Sequence, residues 1–519
     1  MNWLMKIAAP LALLAGWSAP AAAAWREASS DHFVIYSEES AESLRRFAER
    51  LERYDRALRY IRQLPNEPVG PANRLTIYVV SSVETVRKLA GGGAGGRFVA
   101  GFYIPRATGS VAIVPRRGLG GGQWDLDAQT VLLHEYAHHF LFNTYSAAYP
   151  AWFSEGFAEF NATASFEEDG GVGLGLPAAH RYRGLLSGNP LPVPRMMAHT
   201  AERLSDTQRE ALYGRGWLLT HYLSFDKARA GQLDTFLRSL NQGKKGAEAA
   251  QAAFGDLKAL DRELAAYMKR SKLSYLKIDA RALQIGAVKV RQLTAAEDAV
   301  MDVKIRSRRG VNLEAARELL PRVRSAAAPF PKDPFVQATL AEAEYDARNF
   351  DEALAAADRA LVSDPKNIDA LIYKGRALME MARKAQARDD KSWKEVRRWL
   401  VAANRADPDD PEPLLLYYES FHAAGDRPTA NAVIGLNRAF ELAPQDRGVR
   451  MTAARQYLVD GKTAEARSAL APIAYDPHAG ELATLASLMV TVIDSGGAAA
   501  ALKALEANAK PDAAAKPGS

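Results

Sequence analysis

The sequence predicts an α+β domain followed by an all-α helical-repeat domain, and three observations carry that prediction. Strand-like and helix-like apolar periods alternate from Trp25 to about residue 275. Beyond about residue 310 the strands give way to Ala-rich amphipathic helices. In that second stretch an Ala-x4-Pro pattern recurs at Ala360/Pro365, Ala403/Pro408 and Ala439/Pro444, at intervals of 43 and 36 residues. With 519 residues, 48% of them apolar and 25% charged, the chain can bury two or three separate cores.

Residues 1–24 read as a secretory signal: Lys6 precedes an apolar run from Ile7 to Trp17, and Ala22, Ala23 and Ala24 form a cleavage site. The competing reading is a membrane anchor. Against it stand Pro10, Gly16 and Pro20, and a run shorter than the roughly 20 residues a bilayer needs. No later apolar stretch of that length is uninterrupted, so the expected mature chain is soluble, periplasmic or secreted, and free of stable membrane insertion. Cysteine is absent, which excludes disulfides, thiolate metal sites and a catalytic thiol, and leaves His and carboxylates to hold any metal. The 67 basic and 61 acidic residues are dispersed, and no basic tract is interleaved with aromatics, so no nucleic-acid partner is expected.

The α+β domain is expected over 25–275. His32 to Tyr36 reads as a strand, Ala41 to Ile61 as a helix with Leu44, Phe47, Leu51, Tyr54 and Leu58 on one face, and Leu75 to Val80 as the next strand. Arg97 to Ile104 and Val111 to Val114 flank a turn and read as a β-hairpin. The glycine clusters at 91–96 and 118–122 read as connectors, one of them a candidate lid. Asp125 or Asp127 caps a helix running to about Asn143, and Pro150 opens a second helix through Phe160. A Gly- and Pro-rich loop over 170–194 precedes helices over 207–225 and 247–273. Residues 276–310 read as a linker, 311–507 as the repeats and 508–519 as a disordered tail. Leu340, Ala341, Ala353, Ala357, Ala360 and Pro365, at matching offsets over about 34 residues, make the second domain resemble tetratricopeptide repeats; a generic helical bundle is the plainer alternative.

The chemistry is concentrated in HEYAHHFLFNTYSAAYPAWFSEGFAEF, residues 134–160. His134 and His138 are four apart, so on a helix both rings project from one face and can grip one cation. Glu135 sits about 100° round the same helix, within reach of a water on that cation without being a ligand, and is the natural general base. The surrounding Val131, Leu132, Leu133, Phe140 and Leu141 make ionisable groups costly there unless they are paired or metal-bound. Two His leave a tetrahedral Zn²⁺ one protein ligand short. Glu155, 17 residues past His138, can return opposite the two rings on an antiparallel helix. Glu159 has two readings: acceptor for the second ring N–H of a ligating His, or ordinary surface carboxylate. His139 is expected to point away from the pair.

HEYAH followed by WFSEGFAEF resembles the gluzincin clan of metallopeptidases, the thermolysin and aminopeptidase type. That resemblance covers about residues 30–275 and implies a zincin-like metallopeptidase fold, with one Zn²⁺ on His134, His138 and Glu155 and with Glu135 activating water. It further implies an edge strand that pairs with an extended substrate, for which Val111 to Val114 and Phe98 to Ile104 are the candidates. An oxyanion donor from a later helix is also implied: Tyr213 is the choice, with His221, Arg215, His180 and His199 as alternatives. No GxMEN-like segment precedes the HExxH, so an endopeptidase fits better than an exopeptidase.

The expected function is therefore an exported zinc metallopeptidase acting on a peptide or protein, with repeats that recruit a protein substrate or partner. On that division of labour, removing residues 310–519 spares the metal site. The rival is a non-catalytic envelope scaffold with a peptidase-like domain.

Overall fold

Apolar residues alternate with partly exposed ones along the first strands, and this pattern lays down a mixed sheet. The computed structural model describes residues 25–91, 101–116, 128–186, 188, 190–198, 204–476 and 478–508. Residues 1–24 of the expected signal, nearly all of the expected tail, residues 92–96 and 118–122 of the glycine clusters, Asp125, Asp127, His199 and residues 97–100 of the expected hairpin lie outside the described residues. β1 (Arg26–Ser29) pairs antiparallel with β2 (Phe33–Ser37), and after α1 (Ala41–Ile61) the chain returns as β3 (Leu75–Val80), parallel to β2. Past α2 (Val83–Leu89) come β4 (Phe102–Ile104) and β5 (Val111–Pro115), antiparallel to each other, with β5 parallel to β3. The order is β4-β5-β3-β2-β1, closed by a late strand on the far side of β1.

Phe33, Ile35, Leu75, Ile77 and Val79 share a core with α1 and with α3 (Ala128–Thr144). Leu44, Leu51, Tyr54 and Leu58 of α1 are each at most 1% exposed, and such burial stabilises by about 1.5–3 kcal/mol per side chain. On the other face Tyr78, Val80, Val111 and Ile113 pack with Val86 and Leu89 of α2. β5 is thus buried on both faces and paired on both sides, which rules out Val111 to Val114 as an edge; β4 holds that place.

After α4 (Ala151–Ala162) come β6 (Ser165–Phe166), β7 (Val172–Leu174), α5 (Tyr182–Leu186), α6 (Val193–Ala198), α7 (Asp206–Phe225) and α8 (Gln232–Asn241). About half of the segment expected to be a loop over 170–194 therefore lies in short strands and helices. The helix expected over 247–273 is two, α9 (Gly246–Phe254) and α10 (Leu257–Tyr267). Gly255 takes φ +76°, and Asp256 caps the restart by accepting from the Lys258 N–H. β8 (Leu276–Ile278) joins β6 and β7 in a small antiparallel sheet, and β9 (Lys289–Gln292) is the strand that closes the main sheet beside β1.

The array runs from α11 (Ala295–Arg308) through α12 (Leu313–Ala327), α13 (Pro334–Asp346), α14 (Phe350–Ser363), α15 (Ile368–Lys384), α16 (Asp390–Ala406) and α17 (Pro411–Ala424). It ends with α18 (Ala430–Leu442), α19 (Arg447–Val459), α20 (Thr463–Ala474) and α21 (Glu481–Asn508). Ala360, Ala403 and Ala439 are fully buried, and each following Pro comes just after its helix has ended, so the repeating pattern marks close packing followed by a stop. Residues 276–310 are not a linker: β8 and β9 build into the N-terminal sheets, and Met301 and Ile305 of α11 pack on the main sheet. The terminal helix departs from the sequence reading as well. By length and composition α21 is apolar enough to cross a membrane, although Gly497 breaks its backbone and Ala486, Met489 and Ile493 pack into the array's last core.

The array grips the turn between β4 and β5. The Arg106 guanidinium donates to the carbonyls of Arg308 (2.7 Å) and Arg309 (2.8 Å), at the C-terminal end of α11. Ala107 donates its N–H to Asp446 at 2.7 Å and packs among Ala439, Ala443 and Val449 of the α18–α19 pair. Arg450 of α19 donates to Ser146, in the turn after α3, at 3.1 Å.

Candidate metal centre

α3 carries apolar residues on nearly every side, with Val131, Leu132, Leu133, Ala137, Phe140 and Leu141 all buried, and His134 and His138 are buried among them. Tyr54 of α1 donates to the Leu133 carbonyl (3.1 Å), and Tyr136 of α3 donates to Asp55 (2.6 Å), fixing the rotation of α3 on α1. The chain turns after Thr144, and Pro150 caps the start of α4, where its carbonyl accepts the first helical N–H and its own missing N–H would have no helical partner. α4 then crosses α7 at Gly156 and Gly216. A Cβ on Gly156 would stand 2.3 Å from the Gly216 carbonyl oxygen, so the backbones meet with no room for a side chain. That approach brings Glu155 of α4 and Tyr213 of α7 over the two histidines.

The Nε2 atoms of His134 and His138 are 3.1 Å apart, and Glu155 Oε2 lies 3.4 Å from each. Three ligand atoms held about 2.0–2.1 Å from a tetrahedral ion stand about 3.3–3.4 Å from one another, so this triangle has the size of one face of a zinc tetrahedron. His134, His138 and Glu155 are the group whose ligand atoms converge in this way among the described residues. Glu155 is 1% exposed, and its Oε2 is buried with no hydrogen-bond partner. The electrostatics point the same way. Burial alone would lower the His134 pKa, but the neighbouring carboxylates of Glu159 and Glu155 lift it to about 10. Two buried carboxylates, Glu155 and Glu159, thus set negative charge against the His134 ring.

Glu159 is not a surface carboxylate: it is 1% exposed, with one oxygen 3.0 Å from His134 Nδ1. Arg181 donates to that same oxygen through Nε (2.9 Å) and Nη2 (2.6 Å), and His180 Nε2 is 2.8 Å from the other. Burial pushes its pKa up, but the Arg181 charge and His134 hold it well below the usual carboxylate range. Glu159 stays ionised and can orient His134.

Glu135 is half-buried on the same helix. The Tyr213 ring centroid is 6.0 Å from that of His134, with the Arg181 guanidinium 4.5 Å from the Tyr213 ring. The Glu155 charge, then burial, then smaller effects including the Glu135 charge raise the Tyr213 pKa well above its ordinary value, which keeps the phenol a donor. The other residues singled out go elsewhere. His139 hydrogen-bonds Tyr103 of β4 (2.7 Å), and burial lowers its pKa to about 4. His221 joins the Tyr267 hydroxyl and the Ser274 carbonyl, both at 2.9 Å. Arg215 pairs with Asp261 at 2.6 Å. His180 turns its Nε2 to Glu159.

One participant escaped the sequence reading altogether. His478, in the turn between α20 and α21, places Nε2 2.8 Å from Glu155 Oε1, and its ring centroid is 6.0 Å from that of His138. Nothing local in the sequence distinguishes it from any histidine in a turn.

Residues 127–245, which take in α3 to α8, match a family described as "Protein of unknown function (DUF1570)". No curated protein matches the chain. Among solved structures it is similar to TTC0263, a thermophilic TPR protein of Thermus thermophilus, at 19% identity and a TM-score of 0.32, covering 37% of this chain and 98% of that one. It is also similar to the MamA RS-1 ArsTM double mutant, at 17% identity and a TM-score of 0.27, covering 37% of this chain and 97% of that one.

Proposed function

We propose that the chain is an exported zinc metallopeptidase of the gluzincin type, acting as an endopeptidase. The observation that carries this reading is the triangle of His134 Nε2, His138 Nε2 and Glu155 Oε2, with edges of 3.1, 3.4 and 3.4 Å. His134, His138 and Glu155 would hold the ion. Bound there, zinc supplies Lewis acidity and brings the pKa of a water to about 7.

The remaining chemistry belongs to the chain. Glu135, one residue along α3 from a ligand and open on one side, takes the proton of the attacking water and hands it to the leaving amine. Tyr213 donates its phenolic hydrogen to the oxyanion as the carbonyl becomes tetrahedral. Glu159, with an oxygen 3.0 Å from His134 Nδ1, keeps its charge on that side of the ring and favours Nε2 facing inward. β4, at the edge of the main sheet and tied to α3 through Tyr103 and His139, offers a strand for an extended peptide to pair with. The array adds a surface for a protein partner.

The test is chelator-sensitive cleavage of a peptide library by the purified chain, beside Glu135→Gln. The variant should keep its zinc and lose hydrolysis by about 10²–10⁴-fold. Full activity in that variant refutes the mechanism; zinc-free protein without cleavage favours a scaffold.

A further inference from the structure

We propose that the repeat array completes the metal centre. His478 is a positioning residue that donates to the outer oxygen of Glu155 and so holds the inner oxygen on the cation. This rests on the metal-site reading above and extends it to a part of the chain that lies 323 residues from Glu155.

The two oxygens of Glu155 have separate surroundings. Oε2 faces the imidazole nitrogens of His134 and His138 at 3.4 Å each, while Oε1 meets His478 Nε2 at 2.8 Å. A carboxylate divided in this way presents one oxygen inward and is kept from swinging round to use both. Donors of this kind set the orientation and basicity of a ligand.

A chain of contacts delivers His478 to that position. The Asp476 side chain accepts from the His478 backbone N–H at 2.8 Å through one oxygen, and from Arg447 Nε at 2.7 Å through the other. Arg447 opens α19, beside Asp446, which accepts the Ala107 N–H, and in the same helix as Val449, which packs against Ala107. One turn along, Arg450 reaches Ser146 between α3 and α4. The helix that docks the array on the hairpin turn thus also fixes the loop that touches Glu155. The His478 side chain remains 53% exposed, so it stands at the mouth of the site without sealing it. Removing residues 310–519 would therefore not spare the metal site; it would remove one of its supports.

The experiment is a Co²⁺ titration of the full chain, reading affinity and d–d absorption for the wild type, His478→Ala and His478→Gln. His478 is half exposed in a turn and belongs to none of the apolar cores, so the exchange leaves the fold intact. The wild type should bind one equivalent. The Ala variant should bind about 10–100-fold more weakly with a shifted spectrum, and the Gln variant, whose amide can donate from a similar place, should recover part of both. Wild-type affinity and spectrum in His478→Ala overturn the proposal while leaving the metal site standing. A wild type that binds neither Co²⁺ nor Zn²⁺ overturns the metal-site reading, and this proposal with it.

Discussion

The α3–α4 hairpin and the α20–α21 turn both set polar groups on Glu155, and they do so by different means. In the hairpin the geometry is local: one helical turn separates His134 from His138, and a short turn with Pro150 brings Glu155 back within 3.4 Å of both. In the array nothing is local. His478 reaches Glu155 because α19 grips Ala107 and Ser146, and because Arg447 and Asp476 hold the loop. The proposed ligand set is thus built into one supersecondary unit, whereas its proposed support depends on docking between two halves of the chain. Ligands and supports should fail differently when disturbed.

The largest effect is expected from the hairpin itself. Glu155→Ala removes a ligand and leaves two facing imidazoles, so zinc affinity measured by chelator competition should fall by about a thousandfold or more; a drop within tenfold would remove Glu155 from the ligand set. Next comes the crossing that carries it. Gly156→Ala forces a Cβ to 2.3 Å from the Gly216 carbonyl and should destabilise the N-terminal half by about 3 kcal/mol in urea unfolding. An unchanged midpoint would mean that α4 and α7 have slack. Glu159→Gln, which weakens the grip on His134 Nδ1, should cost about 10–100-fold in zinc affinity, in the same range as His478→Ala and well short of the ligand variant.

The effect with least bearing on the metal lies in the array. Burial and the neighbouring Glu412 charge push the Asp410 pKa up to about 8. The folded chain therefore keeps this proton below pH ~8, whereas the unfolded chain releases it above pH ~4. Its contribution to stability falls as pH rises between those values. Asp410→Asn keeps the cap on the Glu412 N–H and removes the slope, so its gain over wild type should grow steadily from pH 5 to pH 8. A gain that does not vary with pH would contradict an uncharged, buried Asp410.

What could be read in the sequence follows the same division. α1 and β3 fall where the apolar periods put them, from Ala41 to Ile61 and from Leu75 to Val80, because each buries one regular face. β1, α2 and β6 were invisible because two to seven residues are too few to show a period. The break at Gly255 hid inside an otherwise helical pattern, and 276–310 looked like a linker because β8 and β9 are mostly exposed short strands. At the site, the spacing singled out His134 and His138 and left room for Glu155 to return opposite them, and the resemblance to gluzincins joined the three. Glu159 stood between two readings until His180 and Arg181 were seen beside it, from a segment that reads as loop. His478 is placed by tertiary docking, and no local pattern encodes that.

The central claim is that one zinc ion sits on His134, His138 and Glu155. X-ray absorption at the zinc edge on the purified full chain tests it most directly. The prediction is one zinc per chain with nitrogen and oxygen neighbours at about 2.0–2.2 Å, and loss of that signal in a His134→Ala, His138→Ala double variant. A chain that purifies and reconstitutes without stoichiometric zinc, or a double variant that keeps the same zinc spectrum, would contradict it.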